Sequence, residues 1–198
     1  MASEIKANKI SPATGVAFTL GDSGDTFTVP SGATIVNSGT ATGFGGDNTP
    51  SFQARKTSTQ STVASDTWTK IGFETEVWDT NSAYDHSTNY RFTVPAGEGG
   101  KYQFHAQFNW YANGSVGEMI GFTVKFYVNG SGSNYSEYYD FRDNSNKGVH
   151  YWTPVLSAAI SLSAADYVEV YGEVQLASST AHIDNNHGYF SGYKLIGV

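Results

Sequence analysis

The sequence predicts an all-β protein, a sandwich or barrel of eight or more short strands, and three observations carry that prediction. Aromatic residues make up 15% of the 198-residue chain and charged residues only 15%, alongside 22 glycines, 13 tyrosines and 12 phenylalanines. That balance suits half-buried pleated surfaces joined by many turns. Residues 102–110 alternate without a break, with Tyr102, Phe104, Ala106, Phe108 and Trp110 on one face and Gln103, His105, Gln107 and Asn109 on the other. Side chains at period two point to opposite sides of a strand. No stretch shows sustained helical spacing, while turn residues recur at the spacing of a sandwich or barrel.

Composition also removes several function classes. A net charge of −7 makes phosphate-backbone binding a poor fit, because no cation excess exists to release counterions, so nucleic acid is not an expected partner. The chain has no cysteine, hence no disulfide and no thiolate metal site. No basic segment followed by an apolar run opens the chain, and no apolar run approaches the length of a membrane-spanning helix. The expectation is a soluble protein made in a reducing cytoplasm, with no membrane partner.

Residues 1–50 differ from the rest. They hold no Tyr and no Trp, only Phe18, Phe27 and Phe44 among aromatics, and are rich in Ser, Thr, Gly and Ala. Within them Val16, Phe18 and Leu20 alternate, as do Phe27 and Val29, and the intervening GDSGD at 21–25 reads as a hairpin turn. So little apolar surface cannot offset the ordering entropy of the segment, so this β-rich arm should pack on a partner. Its anchors would be Val16, Phe18, Leu20, Phe27 and Val29. Residues 38–49, SGTATGFGGDNT, form a linker by composition. The expected division is an arm with linker at 1–50 and a head at 51–198.

From Ser51 the strands come quickly. Residues 52–55 are short; Ile71, Phe73, Thr75 and Val77 alternate; Phe92 and Val94 make a strand that Pro95 ends, and the glycines at 97, 99 and 100 then turn it into the 102–110 strand as a hairpin. Ile120, Phe122, Val124, Phe126 and Val128 form another strand, ending at Asn129-Gly130. Residues 135–142 read as strand, 150–157 and 158–162 as a strand pair or one bent strand. Val168, Val170, Val174 and Leu176 face one way against Tyr167, Glu169, Tyr171, Glu173 and Gln175, and 189–198 closes the chain.

Phe73, Asp79, Tyr84, Phe92, Gly100, Tyr102, Phe104 and Phe108 resemble the signature of the complement component 1q-like domain, a relative of tumour necrosis factor. The order and first two spacings fit; one extra residue precedes Phe92, two precede Gly100, and the last aromatic is displaced to Phe108. Downstream, LSAADYV at 162–168, with Asp166, resembles the family's L-x-x-G-D-x-V with Ala165 in place of glycine, and Phe190-Ser191-Gly192 resembles its final F-x-G strand. The resemblance spans 51–198 and implies a ten-strand jelly-roll sandwich and a homotrimer. The arm, in turn, resembles the Thr/Gly/Ser-rich openings of bacteriophage tail and head-fibre proteins.

The chemistry-bearing clusters favour plain readings. Gly21-Asp22-Ser23-Gly24 resembles the trypsin-like nucleophile loop, but the first histidine is His86, after the serine, and a turn is the better reading. DNSNKG at 143–148 has Lys147 where a calcium loop needs a ligand. His182, Asp184 and His187 have zinc-type residues but sit on a loop by composition, and His105 is a strand residue facing a subunit interface. Asp66, Asp79, Asp85 and Asp166 leave calcium at a trimer axis open, as in some members of the resembled family, with no other cofactor expected. Tyr135, Tyr138 and Tyr139, with Phe141, form either core or a platform for sugar rings.

The expected function is that of a structural or adhesive bacteriophage virion component (fibre, spike or capsid decoration) assembled in the host cytoplasm. Its arm would dock to other virion proteins and its trimeric head face a host-surface glycan or the capsid. An enzyme is not expected: glycan-degrading spikes present paired carboxylates in a groove, and the acidic residues here are scattered over turns. A secreted complement-like lectin fits less well, given the missing cysteines.

Overall fold

The computed structural model describes residues 10–12, 14, 15, 17, 19–38, 48–113, 119–142, 149–177 and 180–196. The chain divides into two compact units, Met1–Phe44 and Gly45–Val198.

All strands among the described residues lie in the second unit, and none of these residues is helical. They are β1 (Ser51–Arg55), β2 (Gln60–Val63), β3 (Thr69–Lys70), β4 (Thr75–Asp79), β5 (Tyr84–Asp85), β6 (Arg91–Thr93), β7 (Gly100–Gln107) and β8 (Trp110–Asn113). They continue as β9 (Met119–Val128), β10 (Ser131–Asp140), β11 (Tyr151–Trp152), β12 (Val155–Leu162), β13 (Tyr167–Leu176), β14 (Thr180–Ile183) and β15 (Tyr189–Lys194).

The ladders are nested. The antiparallel pairs are β1 with β15, β6 with β13, β7 with β12 and β9 with β10, each pair lying inside the last along the chain. Alternate pairs fall in alternate sheets, giving the orders β12-β7-β15-β1-β4 and β10-β9-β13-β6-β5. A single long hairpin wrapped over itself produces this arrangement, which is the jelly roll. With β4 and β5 at the sheet edges the two paths hold ten strands; β3 pairs with β13 off the path, and β11-β8-β14-β2 form a small third sheet.

Three local expectations are overturned. Residues 92–94 and 102–110 are not a hairpin: β6 belongs to the second sheet and β7 to the first, so the glycine-rich connection crosses between layers. Gly97 supplies the left-handed backbone there, at φ +80°. Alternation specifies which face is buried, but not which strand lies alongside. The 102–110 run also breaks after Gln107, and Trp110 starts β8 in the small sheet, although both halves bury the same parity. Residues 71–77 are not one strand either: Ile71 and Phe73 are buried in a connection without a ladder, and β4 begins only at Thr75.

The first unit departs from a β-rich arm. Among its described residues there are turns but no strand. The turn within GDSGD is present: the Asp25 amide donates to the Asp22 carbonyl at 3.0 Å and the Asp22 amide to Asp25 Oδ2 at 2.8 Å. A second turn links the Ala33 amide to the Pro30 carbonyl. Alternating residues with no neighbouring strand have no ladder to join, and so stay irregular.

The core is aromatic and lies between the two layers. Phe52 stacks on Tyr84 at 4.8 Å and on Phe92 at 5.1 Å, and meets Phe190 edge-on at 4.9 Å. Phe104 joins this group at 5.5 Å from Phe92 and 6.0 Å from Phe190, and Val168, Val170 and Val174 close it from β13. Each such buried side chain contributes roughly 1.5–3 kcal/mol relative to exposure.

Candidate functional site

The edge strand β10 carries the tyrosines expected to face a ligand. Asn129 and Gly130, at φ +53° and +74°, form the two-residue turn that returns β9 into β10 with Ser131 opposite Val128. The register then shifts between Gly132 and Ser136. Ser133 sits in this irregularity and donates its hydroxyl to the Phe126 carbonyl.

Beyond the shift the aromatic side chains separate. Tyr139 is half-buried, 4.8 Å from the Phe122 ring and 5.6 Å from Trp152, and Phe141 packs beside it on the same two rings. These two lean on the core. Tyr135 and Tyr138 face solvent, at 39% and 54% exposure. Arg142 folds back over Asp140, with Nε 2.8 Å from Oδ1, and this hydrogen-bonded guanidinium holds the Asp140 carboxyl well below the usual carboxylate range. Both groups are exposed, so the pair orders the strand end and adds little stability. The edge therefore offers two free aromatic faces and a cation already neutralised.

The residues matched to the family signature fall into two groups. Phe73, Tyr84, Phe92, Tyr102, Phe104, Phe108 and Phe190 are buried aromatics, with Gly192 on β15 between Phe104 and Phe52. Gly100 begins β7. Asp79 and Asp166 instead cap turns. Asp79 accepts the amides of Asn81 and Tyr84, at 3.2 and 2.7 Å. Asp166 accepts the Ser163 amide at 2.7 Å and the Asn129 side-chain amide at 2.8 Å, the latter being the main cause of its lowered pKa.

The other acidic candidates are similarly occupied. Asp85 accepts the Ser87, Thr88 and Asn89 amides, which hold it charged far below the normal range, the Thr88 amide most of all. Asp66 accepts the Ser65 hydroxyl. His182 packs on Tyr111 at 4.3 Å and burial lowers its pKa, while Asp184 accepts the Asn185 amide. Among the described residues no group of three His, Cys, Asp or Glu side chains could hold a metal ion. Residues 143–148 lie outside the described residues.

Of the anchor residues, Val16 and Phe18 lie outside the described residues. Leu20, Phe27 and Val29 are exposed, at 62%, 68% and 37%, and Ile35 and Val36 add to them.

Sequence reasoning missed two features of the head. Lys56 is buried, with Nζ 3.0 Å from Glu74 Oε1 and 3.1 Å from the Gly72 carbonyl. The outer face of the second sheet carries a ladder of rings and cations. Tyr127 stacks on Tyr171 at 3.9 Å, Trp68 lies 5.9 Å from Tyr127, and the Lys125 ammonium sits over Trp68 at 4.9 Å. The parity of 167–175 places Tyr171 outward, but only the register of β13 on β9 puts it beside Tyr127 and Lys125.

No family model and no curated protein matches the chain. Among solved structures it is similar to the globular domain of the zebrafish complement 1qA protein, at 16% identity and a TM-score of 0.46, over 74% of this chain and 97% of that one. It is also similar to murine APRIL at pH 5.0, at 12% identity and a TM-score of 0.48 over 73% of this chain and 98% of that one. Murine APRIL at pH 8.5 compares at 13% identity and a TM-score of 0.46, with the same coverage. The jelly-roll assignment rests on the nested ladders themselves.

Proposed function

We propose that this protein is a non-enzymatic structural or adhesive component of a bacteriophage virion, assembled in the host cytoplasm. In this reading residues 1–50 attach it to other virion proteins, and residues 51–198 form a trimeric head that meets a host-surface glycan or the capsid. The observation that carries the anchoring role is the set of exposed apolar side chains Leu20, Phe27, Val29, Ile35 and Val36 on a segment without a ladder among its described residues. Such a segment gains most by adding as a strand to a partner's open sheet edge, where main-chain hydrogen bonds do not require bulky side chains. The resemblance of the arm to phage fibre openings supplies the virion context.

Trimerisation is supported by where the head leaves apolar surface. Val77 and Trp78 are exposed on β4, at one edge of the first sheet, and Val155 on β12, at the opposite edge. Two different patches on opposite edges suit a closed ring, in which one patch meets the other on the next copy.

The test is a particle-incorporation assay on the double variant Leu20→Asp with Phe27→Asp. A carboxylate buried without a partner costs several kcal/mol, so the variant should drop out of the particle while the head keeps its mass and melt. Incorporation at the wild-type level would show that attachment runs through the head. Incubation with host polysaccharide should release no reducing sugar.

A further inference from the structure

Beside the end of the first sheet lies a hollow of about 400 Å³ that no expectation from the sequence used. Its wall is one cross-strand row, in which Gln107 of β7 pairs with Tyr189 of β15, and Tyr189 with Arg55 of β1. Its rim is the loop carrying Asn185, Asn186 and His187.

That loop is held from below, and of its three rim side chains only that of Asn186 is engaged among the described residues, its Nδ2 donating to Asp184 Oδ1 at 3.5 Å. The Lys56 amide donates to the Gly188 carbonyl at 2.9 Å, Gln107 Nε2 to the His187 carbonyl at 2.9 Å, and the Asp184 amide to the Asn109 carbonyl at 3.0 Å. A β-carbon at Gly188 would stand 2.7 Å from that of Lys56, so only glycine lets the loop pass this close to β1. The backbone is thus positioned in advance, and Asn185, Asn186 and His187 project exposed side chains over the hollow. A rim fixed before binding spares the ordering cost of a mobile one.

The charge of the hollow is opposite to that of the chain. The protein carries a net charge of −7, yet no Asp or Glu lines this cavity. Among the described residues of the second unit, each lysine or arginine other than Arg55 and Lys101 is in an ion pair or over an aromatic ring. Lys101 is a lone exposed strand residue, whereas Arg55 is set in the concavity beside a phenol and several amides. A guanidinium in this position presents a planar fork that matches a carboxylate. The amides suit hydroxyl groups, and Tyr189 offers a ring edge or face to an apolar sugar surface.

We infer that this hollow binds a carboxylate-bearing saccharide, a uronate or sialate residue, with Arg55 taking the carboxylate and Tyr189 with the Asn185–Asn186–His187 rim taking the sugar ring and its hydroxyls. The site is separate from the tyrosines of β10 and holds whether or not the chain is carried on a virion.

Calorimetric titration of the full-length protein tests it, with trigalacturonate and sialyllactose as the two acidic probes, maltotriose as the neutral one, and sodium acetate as the bare carboxylate. At least one acidic probe should bind, and Arg55→Gln should weaken that binding by tenfold or more, with Arg55→Lys intermediate and Lys101→Gln, at an exposed lysine outside the hollow, equal to wild type. Because the Arg55 side chain has no ion-pair or hydrogen-bond partner among the described residues, its variants should melt as wild type does. Absence of binding by both acidic probes, or equal binding to Arg55→Gln, would overturn the site. Acetate binding as tightly as the oligosaccharides would overturn its assignment to a saccharide.

Discussion

Gly192 on β15 pairs across the ladder with Phe104 on β7, and a β-carbon at 192 would stand 2.5 Å from Cδ1 of that ring. The Phe52 ring closes the same space from the other side, at 3.0 Å. The glycine is there for volume: two rings from neighbouring strands occupy the room a side chain would need.

Gly192→Ala should therefore cost about 1–3 kcal/mol in urea denaturation, the usual penalty for overfilling a packed core. Gly99→Ala, where the nearest atom to a new β-carbon is 3.6 Å away, should stay within about 0.5 kcal/mol of wild type. Equal melts for the two variants would show that the Phe104 and Phe52 rings can move aside.

The buried ion pair predicts an asymmetry. Lys56 has no exposed side-chain surface, whereas Glu74 keeps 24%. Glu74→Ala leaves a buried ammonium with the Gly72 carbonyl but without its counter-charge, and should cost about 3–5 kcal/mol. Lys56→Met leaves a carboxylate that can turn to water, and should cost less. The double variant should be more stable than the sum of the two losses implies, measured by equilibrium denaturation of all three proteins.

Alkaline pH should loosen the head through its buried phenols. Burial first, and then the Glu98 carboxylate, push Tyr102 up from 10.0 to about 12, and burial also raises Tyr84, whose hydroxyl donates to the Phe73 carbonyl. Below pH 10 both phenols are neutral whether the chain is folded or unfolded, and the folded state keeps its full advantage. As pH rises from 10 through about 12 the unfolded chain ionises first, so stability falls across that window. Tyr102→Phe should flatten the fall measured by thermal melts from pH 9.5 upward; an unchanged slope would assign the loss to other groups.

Self-association should show in solution mass. Light scattering at micromolar concentration should give a trimer, and Trp78→Asp with Val155→Asp should give a monomer that still melts cooperatively, since both side chains are exposed in the single chain. A wild-type monomer would remove the ring arrangement.

Much of the head was legible residue by residue. The inward set of β7, the valines of β13 and the alternation of β9 follow from period two alone, because a strand's side chains alternate whatever lies beside it. The Asn129-Gly130 turn was equally visible, because its two positive φ angles suit those residues. The candidate ligand site was legible only in part. Tyr138 and Tyr139 are consecutive, so period two sets them on opposite faces. Tyr135 shares the parity of Tyr139, and only the register shift between Gly132 and Ser136, with the Phe122 and Trp152 rings, decided that Tyr139 packs inward while Tyr135 faces solvent.

The sequence by itself determined the fold class, the buried parity of the long strands and the turns written in glycine and asparagine, since each depends on neighbours within a few residues. Only the tertiary structure decided that β6 and β7 part into different sheets, that Lys56 is buried against Glu74, and that Arg55, Gln107 and the 185–187 loop share one hollow. These depend on which distant strands pair and in what register, and that choice is made by the packing of the whole core rather than by any local pattern.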